Sequence, residues 1–263
     1  MTARTRHWPT TTAQTAAQRV VAERGGLLVT VAFYLLVTAV LSSLWRLAAH
    51  ANGGTVAGYS AAAVTWYIAT TEACTVSLNI RLISDIGQDI ASGAIAVELV
   101  RPVSVLGVRV AIELGRTLPR LTACLASGAA LATLVGGAPP RPAALLLVIP
   151  STVLAVTSNL VAQHAFAAAA FWLRDAGSTW FLYHKLVFVL GGMLIPLEAL
   201  PSWLHHLAAA LPFAAMAYAP GRLASGHVEP WLLVEQLAWT AVLGIAATAA
   251  FARGQRRLQV VGG

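Results

Sequence analysis

The chain has 263 residues, of which 58% are hydrophobic and only 10% charged, with a formal charge of +7 and a mean hydropathy of +0.73. A soluble domain of this length needs more polar surface, so the composition excludes one and specifies an all-α, multi-pass membrane protein. The positive charge does not point to nucleic acid, because the arginines are dispersed beside apolar segments and form no basic stripe with aromatic partners; anchoring to anionic lipid headgroups accounts for them.

Residues Met1 to Thr12 are polar. Ala13, Ala16, Ala17 and Val20 then recur at helical spacing, which fits either an interfacial helix or the start of the first span. That span is expected over Gly25 to Ala48. Its apolar run, Leu27 to Leu44, is longer than the roughly 7–15 residues of a signal-peptide core, so retention is expected despite the Ala49-His50-Ala51 that follows. Trp45-Arg46 reads as an interfacial anchor at its far end. Span two, expected over Ala57 to Ile80, is less apolar, and Thr65, Glu72, Thr75 and Asn79 share a face that should look at protein or water.

Arg81 to Ser104, RLISDIGQDIASGAIAVELVRPVS, is the long polar interruption with a helical pattern of its own. Ile83, Ile86, Ile90 and Ala94 fall at spacings of three and four while Asp85 and Asp89 share another face, so Leu82 to Ser92 is expected as a short amphipathic helix stopped at Gly93. Ile95 to Arg101 would add a turn or two before Pro102. Span three begins early, with a polar stripe of Arg109, Glu113, Arg116 and Arg120 at headgroup level, and draws its apolar length from Leu118 to Gly136. Span four is expected over Ala143 to Leu173, with Thr152, Asn159 and Gln163 as a second polar face, and Arg174-Asp175 as the loop after it. Span five follows over Ser178 to Ile195.

Leu194 to Phe213 is apolar but broken by Pro196, Pro201 and Pro212, so it reads as re-entrant or interfacial short helices, with Trp203, Leu207 and Leu211 toward lipid or protein. Span six is expected over Pro230 to Ala252. With six spans, fourteen Lys and Arg residues fall on one side and three on the other. That bias places both termini, and the Arg81 to Ser104 stretch, in the cytoplasm.

Chemistry is constrained by what is missing. The single lysine, Lys185, lies outside any GxxxxGK[ST] loop, so the chain is not expected to hydrolyse ATP through that fold. His205-His206 lacks the spacing of a zinc helix. Cys74 and Cys124 sit in apolar segments and read as small hydrophobic filler. Gly58-Tyr59-Ser60 carries only a fragment of a serine-nucleophile motif. Asp85 and Asp89 are too few carboxylates for a magnesium–diphosphate site, and a solvated helix face is the simpler account. No metal site is expected. Glu72 is the costliest group at membrane depth: it either lines a path or is kept neutral by hydrogen bonding, and Asn159 and Gln163 pose the same choice.

From about Ala13 to Leu258 the chain resembles the permease subunits of type-2 ATP-binding-cassette exporters, the ABC-2 family. The resemblance is carried by SGAIAVELVRPVS (Ser92 to Ser104), FWLRDAG (Phe171 to Gly177) and GGMLIPLEALPSWLHHLAAALPF (Gly191 to Phe213). It implies a single transmembrane domain over 1–263, with an N-terminal tail and interfacial helix (1–24), a coupling region (82–102) and an extracellular re-entrant segment (194–213). Leu82 to Ser92 becomes the coupling helix, and Ile83, Asp85, Ile86, Gln88, Asp89, Ile90 and Ser92 the residues that dock the ATPase. The implied partners are two copies of a cognate ATPase, a second permease, identical or related, and lipid; ATP and magnesium belong to the ATPase, with no cofactor on this chain. The expected location is the bacterial inner membrane, and the expected cargo an amphiphile such as a drug, antibiotic or lipid, exported along a path that includes Glu72, Thr75, Asn79, Asn159 and Gln163. Two readings from other classes stand against it: a magnesium-dependent prenyl-type transferase and an ion-coupled secondary transporter.

Overall fold

The computed structural model describes residues 8–99, 103–173 and 177–261. Among them the order is α1 Trp8–Ala22, α2 Arg24–Ala51, β1 Thr55–Val56, β2 Tyr59–Ser60, α3 Ala61–Val76, α4 Leu82–Ala91, α5 Ile95–Leu99, α6 Val105–Gly136, α7 Leu145–Ala167, α8 Gly177–Leu190, α9 Ser202–Ala209, α10 Pro212–Met216, α11 Tyr218–Ala224 and α12 Trp231–Val261. Short 3-10 turns flank α7 and precede α9.

Four stretches, Arg24–Ala51, Val105–Gly136, Pro142–Phe171 and Trp231–Arg256, are long and apolar enough to cross a membrane. They coincide with expected spans one, three, four and six. The other two expected spans are shorter than read. With 16 residues in α3 and 14 in α8, they reach only about 24 and 21 Å at about 1.5 Å per residue, against about 30 Å of hydrocarbon. Local hydrogen bonding sets the limits of α3. At its start, Val56-Ala57-Gly58-Tyr59 makes a hairpin turn with φ of 51° at Ala57 and 82° at Gly58, the double positive-φ geometry of a tight two-residue turn. The Ser60 hydroxyl then accepts from the Ala63 N–H at 3.2 Å, capping the helix. At its end the Ser77 hydroxyl donates to the Cys74 carbonyl at 3.2 Å, and the chain leaves the helix at Val76.

The core is built around α3, which is buried at every residue from Ala63 to Cys74 and packs on α2, α6, α7 and α11. Protein therefore surrounds it where lipid would otherwise need to. Close backbone approach is made possible by glycine. A Cβ at Gly128 would strike the Tyr34 hydroxyl, which donates to the Ala69 carbonyl at 2.8 Å. The first helix uses the same device. A break at Glu23 separates α1 from α2, so α1 does not simply run on as part of the long helix. Instead α1 packs on α6, burying Ala16 and Val20, at a point where a Cβ on Gly115 would lie 2.1 Å from the Ala13 carbonyl oxygen.

Before α12 the chain is broken for longer than the prolines alone suggest. The turn at Leu197–Ala199 and α9 fill the expected segment, and α10 and α11 extend it to Ala224. Ala217, at φ −138° and ψ −50°, separates those last two helices. Of the three residues expected toward lipid or protein, Trp203 and Leu207 are exposed, whereas Leu211 packs against the core. Two long-range hydrogen bonds seat the segment: Trp45 Nε1 donates to the Leu194 carbonyl at 2.9 Å, and the Tyr67 hydroxyl donates to the Gly192 carbonyl.

Candidate functional site

The α4 helix matches the expected bounds to within one residue, and its two faces are sharply different. Leu82, Ile83, Ile86 and Ile90 are buried against α7, the 3-10 turn Ala168–Phe171 and α8. The isoleucines at 83, 86 and 90 retain 0%, 1% and 4% exposure. Each such side chain buried contributes about 1.5–3 kcal/mol, so this face holds the helix to its own chain. Asp85, Gln88, Ala91 and Ser92 are exposed, and Asp89 is partly so. The face open to a partner is polar.

A second constraint locks α4 in place. Arg109, near the start of α6, donates from Nη2 to Asp89 Oδ2 at 2.6 Å and to Glu98 Oε1 at 2.9 Å, and from Nε to Glu98 Oε2 at 2.8 Å. One guanidinium thus joins α4, α5 and α6, with the paired donors on Glu98 adding fixed geometry to charge. Its side chain is 14% exposed, whereas the two carboxylates are 42% and 38% exposed. Trp180 Nε1 adds a bond from α8 to the Ile80 carbonyl at 2.6 Å, just ahead of α4. The arginine stripe read as headgroup charge is therefore divided: Arg109 closes on α4 and α5, and Arg116 pairs with the buried Glu113 at 2.7 Å. Arg101, Pro102 and Arg174-Asp175 lie outside the described residues.

The polar faces at membrane depth also separate. Asn159 and Gln163 are buried and bonded to each other at 2.8 Å, and the Tyr183 hydroxyl from α8 donates to the same Asn159 Oδ1 at 2.7 Å. Sequence reasoning missed Tyr183; its place in the α8 pattern carries no sign of a partner on α7. Glu72 is 3% exposed, and its Oε1 has no hydrogen-bond partner among the described residues. The Thr75 hydroxyl turns back to the Thr71 carbonyl at 3.0 Å. Asn79 lies beyond the end of α3, where its Oδ1 accepts from the Arg81 N–H at 3.0 Å, so it leaves the stripe that helical spacing gave it. Among the described residues no hydrogen bond joins Glu72 to the Asn159–Gln163 pair.

At the opposite end of the long helices a second arginine gathers the broken segment. Arg222 Nη1 lies 2.8 Å from Glu198 Oε1 and donates to the Tyr59 hydroxyl at 2.9 Å, while Nη2 lies 3.1 Å from Glu229 Oε1. The Tyr59 and Tyr218 hydroxyls donate to Glu198 at 3.1 and 2.6 Å. Burial, and then the Glu198 charge, raises the Tyr59 phenol well above its ordinary range, so it stays a donor. Ser60, the serine of the nucleophile-motif fragment, is occupied as a helix cap. His205 Nδ1 is bonded to the Leu197 carbonyl at 2.9 Å. Among the described residues no three His, Cys, Asp or Glu side chains converge as a metal site requires.

Four long apolar helices with the buried α3 among them, and an amphipathic helix braced across one end, define a multi-pass helical membrane protein. The family model described as ABC-2 family transporter protein matches residues 31–262, and the chain belongs to that family. Permeases of this family are transport subunits that work with an ATPase partner. No curated protein matches the chain.

Proposed function

We propose that the chain is the permease subunit of an ABC exporter that moves an amphiphile outward, with α4 as the helix that meets the ATPase. The observation that supports this most is the split character of α4. Its apolar face is spent on the chain's own core and its polar face, Asp85, Gln88 and Ser92 with part of Asp89, projects from one end. This assigns docking to the polar face and gives Ile83, Ile86 and Ile90 a different role, joining the docking helix to the spans. A push on α4 then reaches α6 through Arg109 and α7 through the isoleucines, and the spans rearrange as rigid bodies.

The rest of the reading follows the family. Six spans, with α3 and α8 as the second and fifth, put both termini and α4 in the cytoplasm, in line with the arginine and lysine bias. Two ATPase subunits carry ATP and magnesium, and a second permease, identical or related, completes the assembly in a bacterial inner membrane. Glu72, Thr75 and the Asn159–Gln163 pair remain the candidates for lining the path.

The test is co-purification of a candidate ABC ATPase co-expressed with this chain, with Asp85→Arg and Gln88→Glu in the permease. Both positions are exposed, so folding should change by no more than about 0.5 kcal/mol while ATPase capture falls. Retained capture and transport in the double variant would sink the assignment of α4. Ile86→Asp cannot serve in its place. It would bury a charge in the core and cost several kcal/mol, on the order of 3–5, so it would report folding rather than docking.

A further inference from the structure

Where the broken segment meets the last long helix, the chain forms an open-sided cavity of about 310 Å³ lined by Ala209, Ala214, Ala215, Tyr218, Ala219, Trp231, Leu232 and Glu235. Its chemistry is uneven in an informative way. Four alanines leave an apolar slot, two aromatic rings border it, and a single carboxylate completes the lining. Glu235 has no hydrogen-bond or ion-pair partner among the described residues, although every other described carboxylate near this end is paired: Glu198 and Glu229 both bind Arg222. It stands one turn into α12, about 6 Å along the axis from Trp231 at about 1.5 Å per residue, where an unpaired carboxylate is costly unless a cation meets it.

One side of the lining is fixed independently of any ligand. Gln236, the neighbour of Glu235, is fully buried and donates from Nε2 to the Ala215 carbonyl at 2.8 Å and the Ser151 carbonyl at 3.1 Å, tying α12 to α10 and α7. Tyr218 is held by its hydroxyl on Glu198. That side of the slot is therefore preformed, and a ligand entering it orders little of the segment ahead of α12.

We propose that this cavity binds the ammonium head and first methylenes of a single-chain cationic amphiphile. The head would sit against Glu235 and the faces of Trp231 and Tyr218, since a weakly hydrated ammonium is drawn both to a carboxylate and to aromatic faces, and the chain would lie over the alanines. A phosphate or sulfonate head fits poorly, because no cationic side chain lines the cavity. The proposal concerns binding and stands without the exporter reading; on that reading the cavity is at the exit side.

The test uses the full chain in phosphatidylcholine nanodiscs, with quenching of tryptophan fluorescence by a bromoalkyl trimethylammonium probe and, as control, a bromoalkyl maltoside of equal chain length. The expected result is a saturable quenching component for the cationic probe that disappears in Trp231→Phe. Glu235→Gln should weaken it roughly tenfold, and Ala209→Leu, at an exposed position on the rim, should weaken it by obstruction. Neither change should alter quenching by the maltoside. Equal quenching by both probes, or an unchanged affinity in Glu235→Gln in a protein that elutes and melts as the parent does, would overturn the proposal. So would full displacement of the probe by phosphatidylethanolamine at ordinary membrane fractions, which would make the occupant a bilayer lipid. Loss of ATPase docking in Asp85→Arg bears only on the exporter reading and leaves this binding intact.

Discussion

Each end of the molecule is organised by one arginine held between two carboxylates, yet the two knots join different things. Arg109 binds Asp89 and Glu98, 20 and 11 residues away in sequence. Arg222 binds Glu198, Glu229 and the hydroxyl of Tyr59, which is 163 residues away. The first knot ties elements that lie near one another in sequence, so α4, α5 and the start of α6 are held together. The second connects the hairpin ahead of α3, the broken segment and the approach to α12, pieces that cannot separate while it holds. Both are single-arginine knots, but one makes a lever and the other a clasp.

The largest effect is expected at the clasp. Arg222→Ala leaves Glu198, whose side chain is 24% exposed, with tyrosine donors but no cation, at a cost of about 2 kcal/mol. That should lower the melting midpoint in detergent by about 4–8 °C. Arg109→Ala removes pairs whose carboxylates are about two-fifths exposed, so the cost should be nearer 1 kcal/mol and about 2–4 °C. Its signature would be functional: ATPase capture persists while transport per ATP hydrolysed drops. If instead the two variants melt alike, the division into lever and clasp is wrong.

Ionic strength sharpens the contrast further. A double-mutant cycle between Arg109 and Asp89 should shrink as salt rises from 0.05 to about 0.5 M, since exposed pairs are screened over about 10 Å or less. The Arg222–Tyr59 cycle should change less. The smallest expected effect is at His227, beside the clasp, whose Nδ1 lies 3.0 Å from the Ser225 hydroxyl. Burial, and then the Arg222 charge, holds its imidazole below its ordinary range. The unfolded chain therefore binds this proton more readily, and stability should decline as pH falls below about 6.5. His227→Asn should flatten that decline in a melting series against pH.

Much of the fold was legible in the sequence because apolar length and proline placement are local signals. The long helices fall where hydropathy put them, and α4 follows from Ile83, Ile86 and Ile90 alone. What covers those isoleucines was not legible. Helical spacing reports that a face is apolar, and a groove on another protein and the chain's own α7 satisfy it equally. Arg109 misled for a related reason: one arginine in a stripe resembles another until the chain folds back and brings Asp89 and Glu98 to it. Asn79 failed through an ordinary competition, its side chain bonding locally where the helix was expected to continue. The clasp was not legible, since nothing in the spacing of Tyr59, Glu198 and Arg222 showed that they would meet.

One contact gives the amino-terminal helix its mechanical meaning. With only a hydrogen at Gly115, the backbones of α1 and α6 touch, and a methyl group there would overlap the Ala13 carbonyl. The helix is thus a splint lashed to the same long rod that Arg109 joins to α4, and Gly115→Ala would work as a wedge between them. A single added methyl group would thus be enough to part the splint from the rod at this point.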